Sequence, residues 1–181
     1  MCHVISIGMR PQEDSDAQEM AWVALGSNLG DSAEIVRRAL DRLQGLSDAP
    51  LLRSSLWQSA PVDCPPGSPP FVNAVAALRP RAEETPQSLL RQLQILEKEF
   101  GARPRKRRNE PRRLDLDLIA FGGRVANGPE LVLPHPRAHR RRFVLEPLAE
   151  IAPDFVLPGQ AAGAAELLRL LSSIEMVRRL E

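Results

Sequence analysis

Apolar residues recur along the first part of the chain with two different periods, which predict a strand followed by a helix. The segment "AWVALGSN" (21–28) is typical of a short buried strand that runs into a Gly-Ser-Asn turn. Asp31 or Ser32 caps the predicted helix, because apolar residues recur beyond it every three to four positions. Gly45 ends this helix.

A second series of predicted elements follows. "LLRSSLWQS" (51–59) is extended and alternating, and "FVNAVAALR" (71–79) is typical of a strand. The loop between them contains five prolines, which restrict its conformation. A second helix is predicted with Thr85 as its cap and Pro86 in its first turn. Its apolar residues recur at helical spacing until Gly101.

The segment "LDLDLIAFGG" (114–123) completes the pattern as an alternating strand. The order strand, helix, strand, strand, helix, strand is a split βαβ arrangement. We therefore predict an α+β, ferredoxin-like fold, in which an antiparallel sheet carries helices and is followed by a C-terminal extension. A final amphipathic helix is predicted over residues 162–180. We expect a flexible N-terminal tail over residues 1–20 and a single domain over residues 21–181.

The composition indicates a globular protein and argues against a membrane-spanning one. Of 181 residues, 43% are hydrophobic and 26% are charged, and no apolar run approaches the roughly 20 residues that a membrane-spanning helix needs. The N-terminal residues lack the long apolar core of a secretory signal. Cys2 and Cys64 have no CxxC partner and no metal-like spacing to the histidines, so we expect reduced thiols in a cytoplasmic protein.

Positive charge is concentrated in two segments, although the net charge is only +1. Residues 103–113 hold seven Lys or Arg against one Glu, and residues 137–142 add four arginines. This local density predicts a polyanionic ligand, which is either a nucleic acid or a nucleotide polyphosphate.

Asp115 and Asp117 form the most informative pair in the chain. Residues two apart on a strand point to the same face, so their carboxylates lie side by side while the intervening leucines face the core. One interpretation is a half-solvated strand with acidic residues on its exposed face. The other is that a cation offsets their repulsion, either the neighbouring arginines or Mg²⁺, which prefers one or two carboxylates plus phosphate oxygens.

Four segments in this order resemble the 6-hydroxymethyl-7,8-dihydropterin pyrophosphokinase family over roughly residues 21–160. They are "GSNLG" (26–30), "FVNAV" (71–75), "PRRLDLDLIAFG" (111–122) and "LPHPRAHRRRFVLEPLAEIAP" (133–153). The resemblance implies a ferredoxin-like enzyme of folate biosynthesis. Such an enzyme transfers a diphosphate from ATP to the hydroxymethyl group of a reduced pterin, releases AMP, and uses two Mg²⁺ ions with the ATP.

The resemblance also assigns residues to the site by their positions. It makes Asp115 and Asp117 the metal ligands and Arg112 and Arg103 the catalytic arginines. The residues matched to pterin contacts are Phe71, Asn73, Phe143, Ser59 and Val62. The residues matched to nucleotide contacts are Gln94, Glu97, Arg105, Leu118, His135 and Arg141. Plain core positions for the phenylalanines and a solvated helix face for Gln94 are the alternative interpretations.

The basic loop departs from the family pattern. Asn109 and Glu110 stand where family members usually have Trp and Gly, which predicts a weaker seal over bound substrates. Two alternatives therefore stay open: a weakened or redirected paralogue that binds a related pterin or nucleotide, and an RNA-binding ferredoxin-like module. Our leading expectation is a monomer that binds ATP and a reduced pterin, and that binds neither nucleic acid nor a membrane.

Overall fold

The computed structural model describes residues 20–62, 64–101 and 110–180. The predicted tail thus lies outside the described residues except for Met20, whose carbonyl accepts a hydrogen bond from the Gly122 N–H at 2.9 Å. In chain order the elements are β1 (Ala21–Ser27), α1 (Ser32–Gln44), β2 (Leu52–Arg53), β3 (Trp57–Ser59), β4 (Phe71–Leu78), α2 (Pro86–Glu99), β5 (Asp115–Phe121), β6 (Ala126–Asn127), β7 (Val132–Leu133), a 3₁₀ turn (Ala138–Arg140), α3 (Arg142–Ile151), α4 (Ala164–Leu170) and β8 (Val177–Arg179).

Six of the strands form one antiparallel sheet in the order β5-β1-β4-β3-β8, with β2 also paired to β4. β1 lies between β4 and β5, the strands that follow it later in the chain, which is the split connectivity predicted from the sequence. The predicted α+β, ferredoxin-like fold class is confirmed. Because β5 ends the sheet, its outward backbone groups need partners other than a neighbouring strand.

One face of the sheet, here called the core face, is covered by α1 and α2. Asp31 caps α1 by accepting the Glu34 N–H at 3.1 Å, and Thr85 and Ser88 cap α2 reciprocally. The apolar stripes of both helices are buried against leucines of the sheet, including Leu25 and Leu118. The two predicted helices and their caps are therefore present as expected.

The opposite face, here called the site face, is covered by α3 and α4 over only part of its length. Trp22 of β1 stacks on Phe155 with ring centroids 4.3 Å apart, and Leu145 and Leu148 of α3 are fully buried beside them. A bulge in β5 opposite Trp22 lets both Ile119 and Ala120 pack into this second cluster. The N-terminal end of α3 borders the part of this face that carries the candidate site.

The prediction of a helix over residues 162–180 is correct only for the first half of this range. α4 ends at Leu170, and Val177–Arg179 forms β8 instead. β8 pairs with β3, whose edge offers backbone hydrogen bonds that the periodicity of the sequence does not reveal. Within the described residues, no helix combines the length and apolar character needed to cross a membrane.

Candidate active site

A cavity of about 330 Å³ opens on the site face, next to the N-terminal end of α3. It lies where the ends of β1, β4 and β5 meet the turn that precedes α3. Ten of the predicted site residues line it: Ser59, Val62, Phe71, Asn73, Arg112, Asp115, Asp117, His135, Arg141 and Phe143. The fold therefore brings together residues that are spread over more than eighty positions of the chain.

Each aspartate of β5 faces the cavity and pairs with one arginine. Arg112 Nη1 lies 2.7 Å from Asp115 Oδ2, and Arg141 Nη1 lies 3.6 Å from Asp117 Oδ2. The intervening Leu116 is buried on the core face, as the alternation predicts. The guanidinium groups offset the repulsion between the carboxylates. The sequence suggests either arginines or Mg²⁺ as the cationic partner, and the arginines are present.

Two residues outside the cavity hold the aspartate strand in place. Glu97 of α2 accepts the outward N–H of Leu116, the residue between the aspartates, at 2.7 Å through Oε1. Asn28 is buried; its Oδ1 accepts the Arg112 N–H at 2.7 Å, and its own N–H donates to the Arg112 carbonyl at 3.0 Å. Asn28 lies in the "GSNLG" turn (26–30), but no sequence signal predicted a role for its side chain.

The opposite end of the cavity is formed by β4 and the loop before it. Asn73 is only 4% exposed, and its side-chain Nδ2 donates to Ser59 Oγ at 2.9 Å. Phe71 lies two positions earlier on the same face of β4, as the sequence predicts. A Cβ on Gly26 would come within 3.5 Å of Asn73 Oδ1, so the glycine keeps this surface open. Cys64 also lines the wall, and its thiol donates to the Val62 carbonyl at 3.3 Å.

His135 and the following turn form the basic side of the cavity. His135 Nδ1 accepts the Arg137 N–H at 3.2 Å, so the neutral ring carries its proton on Nε2. Burial lowers the pKa of His135 below its ordinary value of 6.5, and the charges of Arg141 and Arg137 add to this against the opposing effect of Asp117. The imidazole is therefore a neutral hydrogen-bond donor at pH 7. Arg141 also lies over the Phe143 ring, with 5.4 Å between its Cζ and the ring centroid.

The remaining predicted site residues do not line the cavity or lie outside the described residues. Gln94 is exposed on α2, and Leu118 is 4% exposed within the core face. Glu97 acts on the β5 backbone, as described above. Arg103, Arg105 and the altered position Asn109 fall outside the described residues.

The cavity is also lined by three charged residues that were not among the predicted site residues: Arg137, Arg140 and Glu175. The two arginines belong to the basic segment 137–142, whose charge density was the available signal. Glu175 had no such signal, because its segment was predicted to be helical. The cavity thus combines a carboxylate pair with several guanidinium groups, a set suited to a metal-bound polyphosphate. Within the described ranges, no group of three or more His, Cys, Asp and Glu side chains could hold a metal ion alone.

Comparison with known proteins decides which family has this arrangement. The family model for 7,8-dihydro-6-hydroxymethylpterin-pyrophosphokinase (HPPK) matches residues 22–153, which is most of the chain. The chain belongs to the HPPK family. The resemblance seen in the sequence motifs is therefore confirmed, and the comparisons give no support to the RNA-binding or redirected-paralogue alternatives.

Two bacterial HPPK relatives match more than three quarters of this chain. The 2-amino-4-hydroxy-6-hydroxymethyldihydropteridine pyrophosphokinase of Haemophilus influenzae is 39% identical over 159 residues, which cover 87% of this chain and 96% of that protein. The Pseudomonas aeruginosa protein of the same name is 43% identical over 141 residues, which cover 77% of this chain and 85% of that protein.

A solved structure shares the HPPK fold at low sequence identity. The wild-type HPPK-DHPS of Plasmodium falciparum, crystallised with pteroate, superimposes with a TM-score of 0.63 at 12% identity. The match covers 83% of this chain and 42% of that longer chain. At this identity the likeness supports the fold alone.

Proposed function

We propose that this chain transfers the diphosphate group of ATP to the hydroxymethyl group of 6-hydroxymethyl-7,8-dihydropterin and releases AMP, as a step of folate biosynthesis. The observation that carries the proposal is a single cavity with two distinct ends. The Asp115–Asp117 pair lies with arginines at one end, and Phe71 and Asn73 lie at the other. The names of the HPPK relatives support the same reaction.

The Asn73 end has the chemistry of a pterin site. Asn73 Nδ2 is held by Ser59 Oγ and by the Trp57 carbonyl at 3.4 Å. Within the described part of the chain, no hydrogen bond reaches Asn73 Oδ1, which leaves this oxygen of a cavity-lining side chain to accept from the N–H groups on a pterin edge. Phe71 and Phe143 supply aromatic faces for the flat ring system. Ser59 and Val62 border the same end.

The aspartate end has the chemistry of a polyphosphate site. Arg112, Arg141 and the neutral His135 present N–H donors around the carboxylates. Mg²⁺ fits here, because two aspartate oxygens and the phosphate oxygens of ATP provide the hard ligands that it prefers. Asp115 and Asp117 would hold it, and we propose two ions with each ATP. When bound, Mg²⁺ neutralises negative charge on the phosphate groups.

The reaction then follows from positioning and charge stabilisation. The pterin hydroxyl oxygen attacks the β-phosphorus of ATP, a new oxygen–phosphorus bond forms, and the bond to the α–β bridging oxygen breaks. AMP leaves with that oxygen, and the hydroxyl proton is released. Arg112 is placed to stabilise the charge that builds on the phosphate oxygens, because Asp115 and the Asn28 contacts fix it at the cavity. Arg137 and Arg140 add positive charge at the cavity wall.

Measuring AMP release from ATP tests the proposal directly. The purified protein is assayed with and without 6-hydroxymethyl-7,8-dihydropterin, and with and without Mg²⁺. We expect AMP only when both are present. Binding of ATP and pterin without AMP formation would contradict the proposal and favour a weakened paralogue, whereas salt-sensitive retention of RNA would favour an RNA-binding module. Size-exclusion chromatography with light scattering checks the monomer that we propose, and cell fractionation checks the proposed cytoplasmic location.

A further inference from the structure

Residues 172–179, here called the C-terminal arm, run along one side of the cavity. The end of the arm forms β8, in which Val177 pairs with Ser59 of β3. Just before it, the Met176 carbonyl accepts the Ala60 N–H at 3.3 Å. The arm therefore follows the chain segment that contributes Ser59 and Ala60 to the cavity wall.

Glu175 links this arm to the start of α3. Its Oε2 accepts the backbone N–H of Arg142, the first residue of that helix, at 2.9 Å. The helix has no side-chain cap at Arg141, the residue that precedes it. Glu175 thus takes the place of a cap from 33 positions away, and its negative charge suits the N-terminal end of a helix.

The hydrogen bond from the Arg142 N–H to Glu175 lies between two residues that line the cavity. Arg141 and Phe143 flank Arg142 in the chain; the first pairs with Asp117 and the second lies beneath the Arg141 guanidinium. The Arg142 side chain turns away to Glu146, at 3.0 Å, so Glu175 acts on the Arg142 backbone. Fixing this backbone fixes the directions in which its two neighbours point.

Glu175 is itself held in place. Its backbone N–H donates to Ser173 Oγ at 3.1 Å, and the Met176–Ala60 bond follows directly. These contacts hold the backbone of the arm, which keeps the Glu175 carboxylate within reach of the Arg142 N–H. The arm and the α3 turn therefore form one connected support for the cavity.

We propose that Glu175 is a positioning residue, which orients Arg141 and Phe143 by accepting the Arg142 N–H. This inference rests on the proposed function, because these two side chains are the expected nucleotide and pterin contacts. It assigns the C-terminal arm, which lies beyond the matched family region 22–153, a part in building the active site.

Three substitutions separate the hydrogen bond from the charge. Glu175→Gln keeps an oxygen acceptor of the same reach without the charge, Glu175→Asp keeps the charge one methylene shorter, and Glu175→Ala removes both. Glu166→Gln is the matched control, because Glu166 pairs with Arg169 on the exposed side of α4 and is absent from the cavity lining. Melting temperatures identify the variants that fold. If Glu175→Ala does not fold, Glu175→Asp still tests the loss of the hydrogen bond.

The readouts are the hydrogen-exchange protection of the Arg142 amide, the Kd for Mg²⁺-ATP, and kcat and KM for both substrates. We expect Glu175→Ala and Glu175→Asp to lose Arg142 protection and to lower kcat/KM about fivefold, the effect of losing a helix cap. Glu175→Gln and the control are expected to stay within about twofold of the wild type.

Two results would overturn the inference. Unchanged Arg142 protection in Glu175→Ala would show that the bond does not hold the turn. Loss of activity in the Gln variant with retention in the Asp variant would show that charge matters rather than the bond. The exchange and ATP-binding measurements need no turnover. A wild type that releases no AMP would therefore contradict the proposed function while Glu175 is still tested.

Discussion

The two faces of the sheet use the same strands in opposite ways. On the core face, leucines of β1 and β5 such as Leu25, Leu116 and Leu118 are covered by α1 and α2. On the site face, Gly26 and Asp117 of the same strands line an open cavity. A strand with period-two alternation thus serves stability with one set of side chains and chemistry with the other. Substitutions in neighbouring residues should therefore have different consequences.

The largest expected effect comes from the site face. Asp117→Ala should lower Mg²⁺-dependent AMP formation at least about a hundredfold, because it removes one of two proposed metal ligands. The melting temperature should change little, since the Asp117 side chain is 38% exposed and outside the core. AMP release and thermal unfolding are measured on the same preparation. Asp41→Ala, which removes an exposed ion pair with Arg53, is the control, and unchanged activity in Asp117→Ala would contradict the metal assignment.

The adjacent position on the core face should show the reverse. Leu118→Ala deletes a 4% exposed side chain and should lower the free energy of unfolding by about 2–4 kcal/mol. In the variant that remains folded, the KM for ATP should stay within about threefold, because the Leu118 side chain does not line the cavity. Denaturant unfolding and steady-state kinetics measure the two quantities. A larger rise in KM would favour the nucleotide contact that the family resemblance assigns to Leu118.

A smaller effect separates the two ends of the cavity. Asn73→Leu removes the acceptor that lines the cavity and should raise the KM for pterin about tenfold, the cost of leaving a polar ligand edge unpaired. The Kd for Mg²⁺-ATP should be nearly unchanged, and isothermal titration of ATP provides this internal control. If ATP binding weakens as strongly as pterin binding, Asn73 supports the whole cavity and is not specific to its pterin end.

The smallest effect lies at the far end of α3. Burial would raise the pKa of Glu150, but hydrogen bonds from Ser55 and Trp57 and the charge of Arg179 outweigh it and lower the pKa below its ordinary value of 4.5. The resulting stability is complete above about pH 4.5 and is lost as the pH falls through the folded-state pKa.

Glu150→Gln should therefore cost about 1 kcal/mol of unfolding free energy at pH 7, and the difference from wild type should shrink in acid. Urea unfolding at several pH values measures this difference. A constant difference across the acid range would show that these bonds do not depend on the Glu150 charge.

Local sequence signals determined the elements that carry the site. The caps Asp31 and Thr85 fixed the starts of α1 and α2, and the alternation in β5 placed both aspartates on one face, as the structure has them. These features depend on residues within one turn or one strand, where periodicity and capping chemistry act directly. The family motifs are also contiguous segments of the chain, so the sequence alone reveals them.

Only the tertiary structure decided how distant segments complete the cavity. The edge of β3 converts residues 177–179 from a predicted helix into β8, and this brings Glu175 to the Arg142 N–H. Likewise, Glu97, which the family resemblance matches to a nucleotide contact, accepts a backbone N–H of β5. Both outcomes depend on backbone groups left without partners at a sheet edge or a helix end. Which side chain or strand satisfies such groups is set by the packing of the whole chain and not by neighbouring residues.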